Sequence, residues 1–131
     1  SAVIAAMGAL GATRIAMVTP YAPDVVAPMK AFLASHGIEV LAERSFGERD
    51  DRRVARIAER STHAAIISAA RTSGVEAVFS SCTNLRAFGI IDDAEAQTNL
   101  PVGSSNSALI WHLGHLAGIT GLDGPGRLFA I

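Results

Sequence analysis

The stretch VFSSCTNL, from Val78 to Leu85, changes from apolar to polar side chains and contains the single cysteine of the chain, Cys82. Its apolar half predicts a buried β-strand, and its polar half predicts the turn that leads into a helix. A cysteine at such a boundary has two interpretations, an inert core residue or a working thiolate, and the stretch alone leaves both open.

Outward from this stretch, strand and helix patterns alternate along the chain. Strands are predicted in RIAMVTP, IEVLAERSF, VEAVFSS and PVGS, which start at Arg14, Ile38, Val75 and Pro101. Helices are predicted in AVIAAMGALGA, in PDVVAPMKAFLASHG, from Arg53 to about Ser73 with a break at Ser61 and Thr62, in NLRAFGIIDDAEAQ and in NSALIWHLGHLAG. The charged stretch GERDDRR is predicted to be a turn. This alternation predicts an α/β fold, a doubly wound three-layer sandwich with a four-stranded parallel sheet of order 2-1-3-4.

Composition limits the classes of partner. The 131 residues suffice for one α/β domain over 1–131, and a net charge of −1 provides no field that would attract nucleic acid. No apolar run has the length of a membrane helix, so no membrane partner is expected. A single cysteine excludes an internal disulfide, which is typical of a cytoplasmic protein.

The predicted strand order indicates where a ligand would bind. In such sheets, ligands lie beyond the carboxyl ends of the strands where the order reverses, here between the first and third strands. Tyr21 follows the first strand and Cys82 ends the third, so we expect them to be neighbours. We also expect Cys82 to lie at a helix N-terminus capped by Thr83 or Asn84, where free N–H groups stabilise a thiolate and hold a carboxylate oxygen. A second set of donors is predicted at the end of the fourth strand, from Ser104, Ser105 and Asn106.

Three stretches together resemble a known family. RIAMVTPY, AVFSSCTNLRAF and PVGSSNSALIWHLGHLAG, in this order and spacing, resemble the Asp/Glu racemase superfamily. Within it they are most similar to the branch of maleate cis-trans isomerases, arylmalonate decarboxylases and ectoine-utilisation proteins. The resemblance implies two similar α/β domains with the active site between them, each domain supplying a cysteine or its substitute. It also implies proton transfer or covalent addition beside a carboxylate, without metal or organic cofactor.

The resemblance assigns roles to individual residues. It implies that Cys82 is the catalytic cysteine of the second, C-terminal domain and that Tyr21 donates a hydrogen bond to a substrate carboxylate. It implies that Thr83 and Asn84 form the turn whose amides bind carboxylate oxygens. The expected partners are a small carboxylate substrate and either an N-terminal domain or further copies in a homo-oligomer. The isomerase branch has an asparagine near the turn after the second strand, and the corresponding FGERDDRR contains none.

Three functions compete at this point. The first is a cofactor-independent isomerase or racemase, most like maleate cis-trans isomerase. The second is an arylmalonate-type decarboxylase, in which a single cysteine protonates an enediolate. The third is a half-domain without catalysis. His112 and His115 stand three positions apart on a predicted helix, but a metal site needs a third ligand, so no metal site is predicted.

Overall fold

The computed structural model describes all residues, 1–131, and contains a four-stranded parallel sheet with helices on both faces. Its strands are β1 (Arg14–Thr19), β2 (Glu39–Ser45), β3 (Ala77–Ser80) and β4 (Val102–Ser104). The strand order is β2-β1-β3-β4, and every neighbouring pair is parallel. The predicted fold class and strand order are therefore confirmed.

Six α-helices connect and flank the strands. They are α1 (Ala2–Ala9), α2 (Pro23–Ser35), α3 (Asp51–Val54), α4 (Glu59–Ala70), α5 (Ile91–Thr98) and α6 (Ser105–Leu116), with 3₁₀ turns at Phe88–Ile90 and Arg127–Ala130. Helices α1, α2 and α6 contribute to the apolar layer on one face of the sheet, and α3, α4 and α5 contribute to the layer on the other. No helix has the length and apolar character needed to cross a lipid bilayer.

The inner strand β1 explains why the core has two layers. Ile15 and Met17 pack in the layer with α1, α2 and α6, whereas Ala16 and Val18 pack in the opposite layer. All four side chains are fully buried. Successive side chains of a strand point to opposite faces, so a strand covered on both faces has a continuous apolar sequence instead of an alternating one.

The helix predicted directly after Cys82 is wrong in its starting point. The chain first makes a turn, then the 3₁₀ segment Phe88–Ile90, and α5 begins only at Ile91. Cys82 has φ 114°, which is incompatible with a helical start, and the amide of Asn84 donates outward to the carbonyl of Asp51 at 2.6 Å. Neither Thr83 nor Asn84 therefore caps a helix.

The helical region after β2 is divided in two, but not where it was expected. The break falls between Val54 and Glu59, and Thr62 is buried inside α4. At the break, the guanidinium of Arg86 donates to the carbonyl of Ile57 at 3.1 Å. This carbonyl lies between α3 and α4 and so needs a hydrogen-bond partner from outside the helices. The second half of the charged stretch GERDDRR forms α3, because the Asp50 carboxylate accepts a hydrogen bond from the Arg52 N–H and caps this helix.

At the opposite end of the sheet from Cys82, Glu76 joins the starts of β1 and β3. Its carboxylate accepts hydrogen bonds from the backbone N–H groups of Thr13 and Arg14, both at 2.9 Å, and from the Arg14 guanidinium at 2.9 and 3.2 Å. These donors, the backbone groups first, lower the pKa of Glu76 from 4.5 to about 2. The ionised carboxylate therefore stabilises the fold above the ordinary pKa, and this contribution is lost as the pH falls through about 2.

Replacing Glu76 by glutamine should accordingly lower the melting temperature at pH 7, and the difference from the wild type should shrink steadily between about pH 4.5 and pH 2. Thermal unfolding followed by circular dichroism across this range measures the effect. Glu39→Gln is the matched control, because Glu39 starts the neighbouring strand and its carboxylate has no hydrogen bond. A Glu76→Gln deficit that is independent of pH would contradict the assignment.

Candidate active site

Tyr21 and Cys82 lie together at the carboxyl ends of β1 and β3. The Ser81 N–H donates to the carbonyl of Val18 at 2.8 Å, which ties the end of β3 to β1. Tyr21 is held at its backbone, since its N–H donates to the Thr19 hydroxyl at 3.2 Å and its carbonyl accepts from the Ser45 hydroxyl. The ring packs against both apolar layers, including the one that contains Cys82.

Cys82 has an unusual backbone conformation that polar contacts maintain. Its φ is 114°, a region that side-chain-bearing residues rarely adopt, and the residue is only 8% exposed. Its N–H donates to the Ser105 hydroxyl at 3.0 Å, and its Sγ accepts the Asn84 N–H at 3.4 Å. Conformations of this kind cost roughly 1–3 kcal/mol and concentrate at functional sites, so the backbone favours a working thiol over an inert one.

The strain at Cys82 gives a stability prediction. The free energy of unfolding of Cys82→Gly should exceed that of Cys82→Ala by about 1 kcal/mol, because glycine adopts positive φ without steric cost. Urea unfolding of the two variants measures the difference.

Ala87 provides the matched control for this comparison. It is buried on the same loop but has φ −130°, so Ala87→Gly should destabilise the protein. If Cys82→Gly is less stable than Cys82→Ala, the backbone at Cys82 is not strained.

The Tyr21 hydroxyl is protonated at neutral pH. Burial raises the pKa of Tyr21 above its ordinary value of 10.0, and the neighbouring Cys82 side chain and the negative charge of Asp51 raise it further. A neutral phenol donates its hydrogen bond to an anion without first losing a proton. Tyr21 therefore suits a carboxylate or an enolate oxygen beside Cys82.

The helix N-terminus expected at Cys82 is supplied by α6 instead of α5. Ser105, the first residue of α6, accepts the Cys82 N–H, and the Asn106 amide donates to the Thr83 carbonyl at 3.0 Å. The start of α6 therefore adjoins the Cys82 turn, and its first N–H groups provide positive potential there.

The predicted site residues differ in their exposure. Thr83 and Asn84 are exposed, and Ser105 and Asn106 are half-buried. Ser104 is 2% exposed, and its hydroxyl accepts the Ser107 N–H at 3.1 Å in a capping box that starts α6. The structure thus places four of these residues around Cys82 at an accessible surface, whereas the Ser104 side chain is turned inward to hold the helix.

An apolar groove of about 510 Å³ lies beside the site. Ser81 and Ser105 line the groove at the end of β3, and the remaining lining comes mainly from apolar residues of α1, α2 and α6. Phe32 and Leu109 are 46% and 43% exposed along it, and Leu113 continues the exposed stripe on α6. The Cys82 region is therefore bordered by a broad apolar surface.

Sequence reasoning missed two neighbours of the site. Ser81 was treated as part of a strand, although it lines the groove next to Cys82. Asp51 was assigned to a charged turn, but its backbone carbonyl accepts from the Asn84 side chain. The signal for Asp51 was the stretch FGERDDRR at the carboxyl end of β2, the edge at which the site residues gather.

A model of the arylmalonate decarboxylase family matches residues 1–129. The chain belongs to the arylmalonate decarboxylase family. The chain is 30% identical to the arylmalonate decarboxylase of Bordetella bronchiseptica over 98% of its own length and 55% of that protein. The family resemblance recognised in the sequence is thus confirmed.

Solved structures of maleate isomerases have the same fold. A cysteine-to-alanine variant of the Pseudomonas putida maleate isomerase with maleate superposes with a TM-score of 0.92 at 30% identity, over 98% of this chain and 52% of that one. A cysteine-to-serine mutant of the Nocardia farcinica maleate cis-trans isomerase, with a covalently bound succinylcysteine intermediate, gives 0.88 at 26% identity, over 98% and 53%. The chain spans about half the length of the arylmalonate decarboxylase and of the two maleate isomerases.

Proposed function

We propose that the chain is the cysteine-bearing part of a cofactor-independent isomerase or racemase that acts on a small carboxylate or dicarboxylate, most like maleate cis-trans isomerase. The observation that carries this proposal is the strained Cys82 at the reversal of strand order, with the protonated Tyr21 beside it. The membership in a family whose relatives are isomerases and decarboxylases supports it further.

The surroundings of Cys82 suit the recognition of a carboxylate. In the proposed complex, carboxylate oxygens accept from the N–H groups of the turn at Thr83 and Asn84 and from the start of α6 at Ser105 and Asn106. Ser104 contributes by capping α6 and so orienting those N–H groups. Tyr21 donates its hydroxyl to an oxygen on which negative charge develops, an interaction that strengthens in the transition state.

The proposed step for a maleate-like substrate is covalent addition to the double bond. The Cys82 thiolate forms a C–S bond with one alkene carbon, while the π electron pair takes up a proton at the other carbon. The resulting C–C single bond rotates. Loss of a proton from that carbon and expulsion of the thiolate then restore the double bond in the trans form. The succinylcysteine of the Nocardia farcinica enzyme corresponds to the adduct in this scheme.

We further propose that the chain corresponds to the C-terminal half of a two-part enzyme and that a second α/β unit closes the site. The chain spans about half the length of its relatives, and an apolar surface with Phe32, Leu109 and Leu113 borders the Cys82 turn. The second unit is either an N-terminal domain or another copy of this chain. It would exclude water from the site, which strengthens the hydrogen bonds and charge effects there.

A second candidate function is an arylmalonate-type decarboxylation. The apolar groove beside Ser81 and Ser105 favours it, because an aryl group would find an apolar surface within reach of Cys82. In this reaction the C–C bond to one carboxylate breaks, CO₂ leaves, and the electron pair remains as an enediolate. The Cys82 thiol then protonates the carbon, which a single cysteine suffices to do.

The test compares the protein in the longest form that its gene encodes with the 131-residue chain alone. Each is incubated with maleate, following fumarate, and with phenylmalonate, following CO₂. Fumarate formation by the longer form supports the isomerase and CO₂ formation supports the decarboxylase. The absence of both products contradicts turnover of these two dicarboxylates. Equal turnover by the 131-residue chain would exclude an N-terminal domain as the second unit, and equal turnover by a 131-residue chain that is monomeric would contradict the need for any second unit.

A further inference from the structure

The segment from Glu48 to Arg53, which leads into and forms α3, contains one carboxylate that its arginines leave unpaired, that of Asp51. Its three arginines pair with other acidic groups: Arg49 with Asp24 of α2 at 2.7 Å, Arg53 with Glu48 at 3.1 Å and Arg52 with Asp50 at 3.6 Å. The Asp51 carboxylate takes part in no ion pair or hydrogen bond, although its residue is surrounded by arginines in the sequence. Asp51 is exposed, and no cationic side chain forms an ion pair with its carboxylate.

Asp51 is fixed beside the Cys82 turn. The Asn84 side chain donates to its backbone carbonyl at 2.6 Å, and the backbone N–H of the same asparagine donates to the Cys82 Sγ. Asp50, not Asp51, caps α3, so the Asp51 side chain is not needed to start that helix. The charge of Asp51 also acts on the Tyr21 hydroxyl and contributes to its raised pKa. Asp51 thus borders the mouth of the site from the side of β2.

We propose that Asp51 determines the substrate class, so that the site accepts a monocarboxylate with a hydrogen-bond donor where a dicarboxylate would carry its second carboxylate. This inference rests on the function proposed above. The first carboxylate binds at the Cys82 turn and the start of α6, where N–H groups are available. A second carboxylate next to Asp51 is repelled, whereas an amide, hydroxyl or ammonium group donates to the Asp51 oxygens.

Maleate and maleamate provide a matched pair of probes, because they share a carbon skeleton and maleamate has a carboxamide in place of one carboxylate. Their dissociation constants are measured by titration calorimetry at low ionic strength, where charge effects are least screened. The measurement uses the longest encoded form carrying Cys82→Ser, which avoids turnover. With Asp51 present, maleamate is expected to bind more tightly than maleate.

Asp51→Asn removes the charge and keeps the shape, and it should shift the affinity ratio toward maleate by about tenfold or more. Asp51→Glu keeps the charge and should retain the preference for maleamate. Asp123→Asn is the control, because Asp123 is an exposed carboxylate in the segment after α6, and it should leave the ratio unchanged.

The outcomes separate this inference from the function on which it rests. If both probes bind but Asp51→Asn leaves their ratio unchanged, or if the protein with Asp51 prefers maleate, the role of Asp51 is overturned and the carboxylate site stands. If neither probe binds to the folded protein, the proposed function and the role of Asp51 fail together.

Discussion

Cys82→Ala is expected to lower kcat/KM by about 10⁴-fold or more in the longest encoded form of the protein while leaving the fold intact. In both proposed reactions the Cys82 sulfur contacts the reacting carbon, either as the nucleophile that adds to it or as the acid that protonates it. Alanine removes this group and keeps a Cβ in the same strained backbone. Steady-state kinetics on whichever substrate the wild type converts measures the loss.

Two comparisons make this prediction decisive. Cys82→Ser keeps the size of the side chain but replaces the thiol by a hydroxyl, which is a far weaker nucleophile and acid, so it should lose most of the activity too. Circular dichroism and thermal unfolding of both variants separate chemistry from folding. Retention of most of the turnover by folded Cys82→Ala, purified from a host without a competing enzyme, would mean that Cys82 is a structural residue.

Tyr21→Phe is expected to reduce kcat/KM by about 10²-fold, the second largest effect. Phenylalanine preserves the ring that packs against both apolar layers and removes only the hydroxyl beside Cys82. The loss should fall mainly on kcat, because a hydrogen bond to a developing oxyanion strengthens in the transition state.

The pH dependence of the wild type gives a related prediction. Because burial raises the pKa of Tyr21, ionisation of its hydroxyl should cause no decline in wild-type activity as the pH passes 10.0.

Kinetics and stability together decide the role of Tyr21. Wild-type values of kcat and KM in the phenylalanine variant would remove the hydroxyl from the mechanism. A large fall in melting temperature would instead assign it a structural role. Ser45→Ala is a useful comparison, because the Ser45 hydroxyl donates to the backbone carbonyl of Tyr21 and not to its phenol hydroxyl. It should produce a smaller loss than Tyr21→Phe.

The sequence predicted correctly that Tyr21 and Cys82, the centre of the candidate site, are neighbours in the fold. The alternation of strands and helices predicted the order β2-β1-β3-β4, and this order brought Tyr21 and Cys82 together across the positions that separate them in the chain. Such inferences succeed because hydrophobic periodicity is local and because parallel connections have few permitted topologies. The recognised family resemblance agreed with the match to the arylmalonate decarboxylase family.

The error at Cys82 shows where local reasoning fails. The polar turn after β3 was predicted to be the N-terminus of the helix that follows it in sequence. The N–H groups expected near the thiol were therefore attributed to α5. The helix that adjoins the Cys82 turn is α6, through the contact between the Cys82 N–H and the Ser105 hydroxyl, two residues that are 23 positions apart. The N–H that donates to the Cys82 Sγ is that of Asn84 in the turn itself. The positive φ of Cys82 likewise depends on these contacts, and no local propensity predicts it for a cysteine.

The sequence by itself determined the α/β class, the order of the strands and the edge of the sheet at which Cys82 and Tyr21 meet, because these follow from patterns within single elements and from general rules of chain connection. Only the tertiary structure decided which helix adjoins the thiol, which arginines pair with which carboxylates, and that Asp51 is left without a partner. The physical reason is that hydrogen bonds and ion pairs act over a few ångströms between groups from distant parts of the chain. Their partners are therefore set by the packed arrangement of the elements and not by the neighbours of each residue in the sequence.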